Sequence, residues 1–353
     1  MLLVIDAMGT EYGGVRTYAD HLLAAWATSF PDDEVHVVVP AGSTIPTGTH
    51  VRHEIAVPRP GVLGRPVAQT RHLGRIVREL QPDAILALIP STTLRRPARP
   101  MAVVVHDLRH QLRPDQFSRT RRAIRFVAYG RAYALASGFV AVSDRTLTDL
   151  HAKQPATRER PAAVVHHGGD HVLDWPAATR DGEAVAFALH TNKNPGLILQ
   201  GWALLAEQGP PPPLVLVGVR SEAREGLQGE IDRLGLGGSV RLSPFLPEDE
   251  FRRTVARASM IVFPSDFEGF GLPVVEGMSL GKPVVVGPDP AVLEVAAGHA
   301  AVMADWTPRA LADAVASVDA VDLDAARAWG RGFTWDRTVR QTRDLLRTIA
   351  RPG

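Results

Sequence analysis

The sequence predicts an α/β chain of two doubly wound units, each a parallel sheet with helices on both faces. Three observations predict it. Short, near-continuous β-branched runs recur along the first half, as strands buried on both faces require. The segments between several of them are long enough and periodic enough for crossover helices. The same alternation then restarts after residue 183, and 353 residues with 45% hydrophobic content exceed the roughly 250 to 300 at which a single core stops growing.

In order, the first strands are expected at LLVIDA (2–7), VHVVVP (35–40), AILALI (84–89), AVVVHD (102–107) and FVAVSD (139–144), with helices around 15–29, 65–81 and 118–136. The second set is AVAFAL (184–189), PLVLVG (213–218), VRLSP (240–244), MIVFPS (260–265), PVVVG (283–287) and AAVMAD (300–305). Between them HHGGDHVLDWPAATRDG has little periodicity and many turn residues, which suits a hinge, with His166 and His167 in the linker and no metal role. The expected divisions are 1–172, 173–333 and a terminal segment 334–353. The last has helical periodicity through Trp335, Val339, Leu345, Leu346 and Ile349; it is expected to pack outside the second sheet or to cross back to the first domain.

Composition narrows the chemistry. With no cysteine there is no thiolate nucleophile, disulfide framework or cysteine-based zinc site. No apolar run approaches the ~20 residues of a membrane span, and MLLVIDAMG lacks a basic lead-in and a cleavage site, so the expected location is the cytoplasm. A net charge of +1 leaves no electrostatic footprint for nucleic acid. Lys153, Lys193 and Lys282 are the only lysines among 39 basic residues, which gives weight to a lysine inside a motif.

The stretch MIVFPSDFEGFGLPVVEGMSLGKPVVVG (260–287) reads as strand, glycine-containing loop, helix and strand. Such a loop is where doubly wound sheets bind ligands, because the free N–H groups of a first helical turn attract anions. Pro273 suits that first turn, and Glu276, one turn after Leu272, can share the crevice with Glu268. Gly269 and Gly271 do not make a dinucleotide fingerprint, since Val274 stands where a third glycine is needed. Taken singly, each carboxylate is equally a solvated loop or helix residue.

PSDFEGFGLPVVEGMSLGKPVV (264–285) resembles the signature of the retaining GT-B glycosyltransferases of family 4, with its two glutamates in EGFGLP-x-x-E. The resemblance implies two Rossmann-like domains facing across a cleft, an acceptor-binding one first and a nucleotide-sugar-binding one second. It implies that Glu268 approaches the donor sugar, that the amides of Gly269, Phe270, Gly271 and Leu272 contact its hydroxyls or phosphate, and that Glu276 takes the ribose hydroxyls. An ionised carboxylate can accept such paired hydroxyls.

The segment ALHTNKNPGLILQGWALL (188–205) is similar to the family's Lys-Asn segment, which implies that Lys193, with Asn194, binds the donor phosphates. A departure lies just upstream: Phe187 to His190 hold no arginine where family members often carry one. Ser243 to Leu246, with Phe245, are implied near the base. In the first domain Gly13-Gly14 is similar to the family's glycine pair, or is a plain strand-to-helix turn. His106, ending MAVVVHD, resembles the histidine that contacts the donor sugar, where a packed or solvated histidine is the plainer alternative. Ser143 reads as a helix cap, and Asp32-Asp33 as a turn.

The implied activity is metal-independent transfer, with retention, from a nucleotide sugar to an acceptor hydroxyl on a small secondary metabolite, glycan or lipid. His106, Glu268 and Lys193 are the catalytic candidates, with no cofactor. A nucleotide-sugar epimerase or hydrolase of the same fold, and a non-catalytic sugar-nucleotide-binding protein, are the alternatives. The segment SRTRRAIRFVAYGRAYA (118–134) reads most simply as a solvated amphipathic helix. An anionic acceptor, or peripheral contact with acidic lipids, is the less favoured reading.

Overall fold

The structure, a computed structural model, describes residues 1–58 and 61–350; residues 351–353, the end of the expected terminal segment, lie outside the described residues. In chain order the elements are β1 (Leu2–Asp6), α1 (Gly14–Ser29), β2 (Glu34–Pro40), β3 (Val51–Ile55), α2 (Gly61–Leu80), β4 (Ala84–Ala87), β5 (Met101–Val105), α3 (Arg109–Leu112), α4 (Arg119–Leu135), β6 (Gly138–Ala141), α5 (Asp144–Lys153) and β7 (Ala162–Val164). They continue with β8 (Ala184–Phe187), α6 (Pro195–Ala206), β9 (Leu214–Val217), α7 (Ser221–Arg233), β10 (Val240–Leu242), α8 (Glu248–Arg257), β11 (Ile261–Phe263), α9 (Leu272–Ser279), β12 (Val284–Val286), α10 (Pro290–Ala296), β13 (Ala301–Val302), α11 (Pro308–Ala316), α12 (Leu323–Gly330) and α13 (Trp335–Ala350).

Two compact units result: residues 1–168 with 334–353, and residues 169–333. Among the described residues the first holds a sheet of order β3-β2-β1-β4-β5-β6-β7, the second one of order β10-β9-β8-β11-β12-β13, both parallel throughout. The α/β fold class and every strand expected from the β-branched runs are present. β3 and β7 were not expected, and both are sheet edges: VRHEI carries charge because one side meets water, and AAV is very short.

Strand order reverses between β1 and β4 in the first unit and between β8 and β11 in the second. At such a switch the two following loops diverge to opposite faces and leave a crevice at the strands' carboxyl ends.

The terminal helix corrects one expectation. α13 does not pack outside the second sheet; it belongs to the first unit, as the crossing-back alternative had it. It buries Val339, Leu345 and Leu346, and polar and aromatic contacts add to that packing. Arg343 makes a two-pronged pair with Asp33, 2.7 Å to each oxygen, which holds that carboxyl below its usual range despite desolvation. Ser29 donates to Asp336 at 2.7 Å, and the Trp335 ring lies 5.9 Å from Tyr18 and 6.1 Å from His167. Gly138 makes room for the helix, since a Cβ there would stand 3.0 Å from Ile349.

Candidate active site

In the second unit the loops after the two switch strands carry the predicted residues. After β8 the chain makes a 3-10 turn, Thr191–Lys193, and Asn194 takes a left-handed conformation (φ 53°) to start α6, with Pro195 in its first turn. After β11 the loop 264–271 ends on Gly271, whose φ of 109° turns the chain into α9. Because β8 and β11 are hydrogen-bonded neighbours, the loops meet. Asp266 N–H donates to the Asn192 carbonyl at 3.0 Å, and Asn194 Nδ2 donates to the Pro264 carbonyl at 2.9 Å.

The charged centre sits on that junction. Lys193 Nζ lies 2.5 Å from Glu268 Oε1, and the ammonium also lies 4.1 Å above the Phe263 ring. Asn192 Nδ2 donates to the same Glu268 oxygen at 2.9 Å and to the Phe267 carbonyl, also at 2.9 Å. Two residues 75 apart in sequence are thus joined directly. Each side chain of the pair is 15% exposed, enough for the ammonium to reach an anionic ligand while the loops are held by backbone bonds.

Glu276 lies one turn into α9 and is buried, not on a helix surface. Its Oε1 is 3.2 Å from His171 Nε2, which donates because an ionised carboxylate can only accept. His171 stands on a 3-10 turn, Asp170–Asp174, and its ring meets Trp175 edge-on at 5.8 Å. Close approach of that turn to α9 needs Gly169: a Cβ there would lie 2.2 Å from Val275 Cγ1. Gly169 N–H also donates to the Phe333 carbonyl at 2.8 Å, and the Phe333 ring contacts Phe270 at 6.0 Å.

Phe245 is on the loop after β10 and is 75% exposed. Gly269, Phe270 and Leu272 occupy the turn that opens α9, with Phe270 and Leu272 buried. Lys282, the lysine of the 260–287 stretch, is structural: its ammonium is buried and donates to the Thr179 carbonyl and, at 2.5 Å, to Ala256 O. Burial, with Arg180 beside it, lowers its pKa to about 8.

In the first unit Gly13, with φ 66°, precedes α1 and Gly14 begins it. His106 follows β5, its Nε2–H donating to the Leu88 carbonyl at 2.9 Å. Burial lowers its pKa, and its ring lies 5.0 Å from Tyr18 and 5.5 Å from His167. His167 is buried, and desolvation holds it well below its usual range. Ser143 caps α5 as expected, accepting from Thr146 N–H at 3.1 Å.

Sequence reasoning missed Asn192, His171 and Asp6. Asn192 had a signal, being next to Lys193; His171 had none. Asp6 ends β1 at the first unit's switch and is buried. It accepts from Thr92 Oγ1 at 2.6 Å, Gln69 Nε2 at 2.8 Å and Met8 N–H at 3.2 Å.

Comparison with known proteins follows the same division. The model for Glycosyltransferase Family 4 matches residues 12–172, and that for Glycosyl transferases group 1 matches residues 185–328. Over 118 residues the chain is 35% identical to the O-antigen chain mannosyltransferase B of Escherichia coli, covering 33% of this chain and 31% of that protein. It is 26% identical, over 95% of this chain and 93% of the other, to a GDP-mannose-dependent alpha-(1-6)-phosphatidylinositol dimannoside mannosyltransferase of Mycobacterium tuberculosis. The chain matches only about a third of the length of the first curated relatives. Among solved structures, Anabaena HepE in complex with UDP and glucose superposes with a TM-score of 0.74 at 20% identity, over 98% of this chain and 99% of that one.

Proposed function

The chain belongs to the family 4 glycosyltransferases of GT-B fold, and on that premise we propose that it moves a sugar from a nucleotide-sugar donor to an acceptor hydroxyl. The observation that carries the reading is the Lys193–Glu268 pair at the second unit's switch point, beside the helix that bears Glu276. The relatives' names support the donor class: one uses GDP-mannose, and HepE was solved with UDP and glucose.

In the proposed reaction the donor diphosphate meets Lys193 and the amides that open α9, so charge developing on the leaving nucleotide is stabilised by groups already in place. Glu268 accepts from the sugar hydroxyls, and Glu276 Oε2 from the ribose. The C–O bond from the anomeric carbon to the diphosphate breaks as the acceptor oxygen bonds to that carbon from the same face, and the acceptor proton leaves to the departing phosphate. Configuration is retained, no metal is required, and the reaction runs in the cytoplasm. His106, neutral with Nε2–H committed to Leu88, contributes a contact to the donor sugar.

A thermal-shift screen of nucleotide sugars tests the donor, because a ligand that binds only the folded state raises Tm. The selected donor is then incubated with and without hydroxyl acceptors. Nucleotide release that requires acceptor, with the new linkage in the donor's anomeric configuration, supports transfer. Rapid consumption of donor alone would replace it with an epimerase or hydrolase.

A further inference from the structure

We propose that Asn192 is a positioning residue: it keeps the Glu268 carboxylate aimed at the donor sugar when a donor phosphate takes Lys193. The inference rests on the proposed transfer and adds to it a residue that the sequence motifs do not single out. Asn192 is 2% exposed, on the 3-10 turn after β8. Its Nδ2 donates to the Phe267 carbonyl and to Glu268 Oε1, both at 2.9 Å. A carbonyl and a carboxylate only accept, so the amide stands with its nitrogen toward them, and its two protons match the two acceptors. The Asn192 carbonyl meanwhile accepts from Asp266 N–H at 3.0 Å. Turn and loop are thereby tied by backbone and side chain together, and one of the ties is to the carboxylate itself.

Holding Glu268 is a task that Lys193 does not do alone. Its ammonium shares Oε1, 2.5 Å away, but it ends a flexible stem whose rotatable donors can follow either carboxylate oxygen. In the proposed reaction the donor diphosphate competes for that ammonium, and the more the phosphate wins, the less Lys193 fixes Glu268. The Asn192 amide is buried, tied to a backbone carbonyl and without charge for a phosphate to draw. It keeps Oε1 committed and leaves Oε2, which among the described residues takes no hydrogen bond from the protein, for the sugar hydroxyls. Asn194, on the other side of the lysine, gives the contrast. Its Nδ2 donates to the Pro264 carbonyl at 2.9 Å, which ties the same two loops without touching Glu268.

Binding, read without turnover, isolates this role. UDP-glucose and GDP-mannose are titrated into the full chain beside UDP and GDP, which carry the diphosphate but no sugar. Asn192→Leu keeps the volume and Asn192→Ala leaves room for water; neither brings a charge that repels phosphate. Both should weaken the nucleotide sugar at least about tenfold and its diphosphate less than about twofold. In a Glu268→Ala background either substitution should add nothing to the sugar-dependent loss. Asn194→Gly, which keeps the left-handed backbone, should weaken both ligands alike. Equal losses of nucleotide sugar and diphosphate in the Asn192 variants overturn the proposal while transfer by the wild type stands. So do unchanged affinities, additivity with Glu268→Ala, or the same sugar-dependent loss in Asn194→Gly. A wild type that binds neither nucleotide sugar, nor any other in the thermal-shift screen, overturns the proposed function and this inference with it.

Discussion

His171 Nε2 stands 3.2 Å from Glu276 Oε1, with side chains only 5% and 8% exposed, so a residue 105 positions away fixes the rotamer of the α9 carboxylate. Among the described residues Oε2 takes no hydrogen bond from the protein, and in the proposed reaction it is the oxygen that meets the ribose hydroxyl. Glu276→Ala should raise the donor KM about ten- to a hundredfold, as loss of a hydrogen bond to a charged group implies. His171→Ala should raise it less, with kcat nearly unchanged, and His171→Gln should recover part. In the Glu276→Ala background, His171→Ala should add almost nothing. Additive losses in kinetic double-mutant cycles would mean that His171 does not act through Glu276.

Lys193 is paired with Glu268 Oε1, so in the proposed reaction the donor phosphate competes with that carboxylate for it. Lys193→Ala should therefore lower kcat/KM about ten- to a hundredfold and reduce the Tm rise given by the donor. Arginine should not substitute, because a planar fork cannot reproduce a compact ammonium 4.1 Å above Phe263. Full activity in Lys193→Ala removes the lysine from the mechanism.

Why some of this was legible and some not has a physical reason in each case. β5, β6, β9, β11 and β12 are buried on both faces, and that burial writes continuous apolar runs. The edge strands β3 and β7 lack that signature because half of each meets solvent. Glu268 and Lys193 could be named because the stretches that carry them, 264–285 and 188–205, resemble segments of a known family. Their contact with each other, and that of His171 with Glu276, depends on tertiary placement that no spacing records. The same holds for α13: its periodicity announced a helix, while its partner was set by Asp33 and Tyr18, far away in sequence.

Asp6 should leave a signature in the pH dependence of stability. Burial pushes its carboxyl up to about 6, against the opposing hydrogen bonds from Thr92, Met8 and Gln69 and the weaker pull of Arg65. The folded state therefore keeps a proton that the unfolded chain has released, so this contribution falls as pH rises from about 4 to about 6, by roughly 3 kcal/mol in all. Asp6→Asn cannot titrate. Wild-type Tm minus variant Tm should decline across that interval and level off above it; a difference that rises with pH would mean Asp6 is stabilised as the anion.

Two glycines beside the site should fail for different reasons, and the difference is measurable. At Gly271 a Cβ would meet only ordinary contacts, 3.5 Å from Val292 and 3.6 Å from Val274, but its φ of 109° is one that L-residues avoid. Gly271→Ala should cost about 1 to 3 kcal/mol through the backbone alone and, on the proposed reaction, swing the first amides of α9 off the donor diphosphate. Gly169 has no such φ; its Cβ would collide with Val275 Cγ1 at 2.2 Å and force the Asp170–Asp174 turn off α9. Trimming the neighbour should then rescue one and not the other. Gly169→Ala/Val275→Ala should be more stable than the sum of its single variants predicts, whereas Gly271→Ala/Val292→Ala should show simple additivity. Denaturant titration of both cycles decides the matter: additivity at Gly169 would show that its contact with Val275 relaxes at no cost, and the Asp170–Asp174 turn would then owe its position to the Phe333 carbonyl instead.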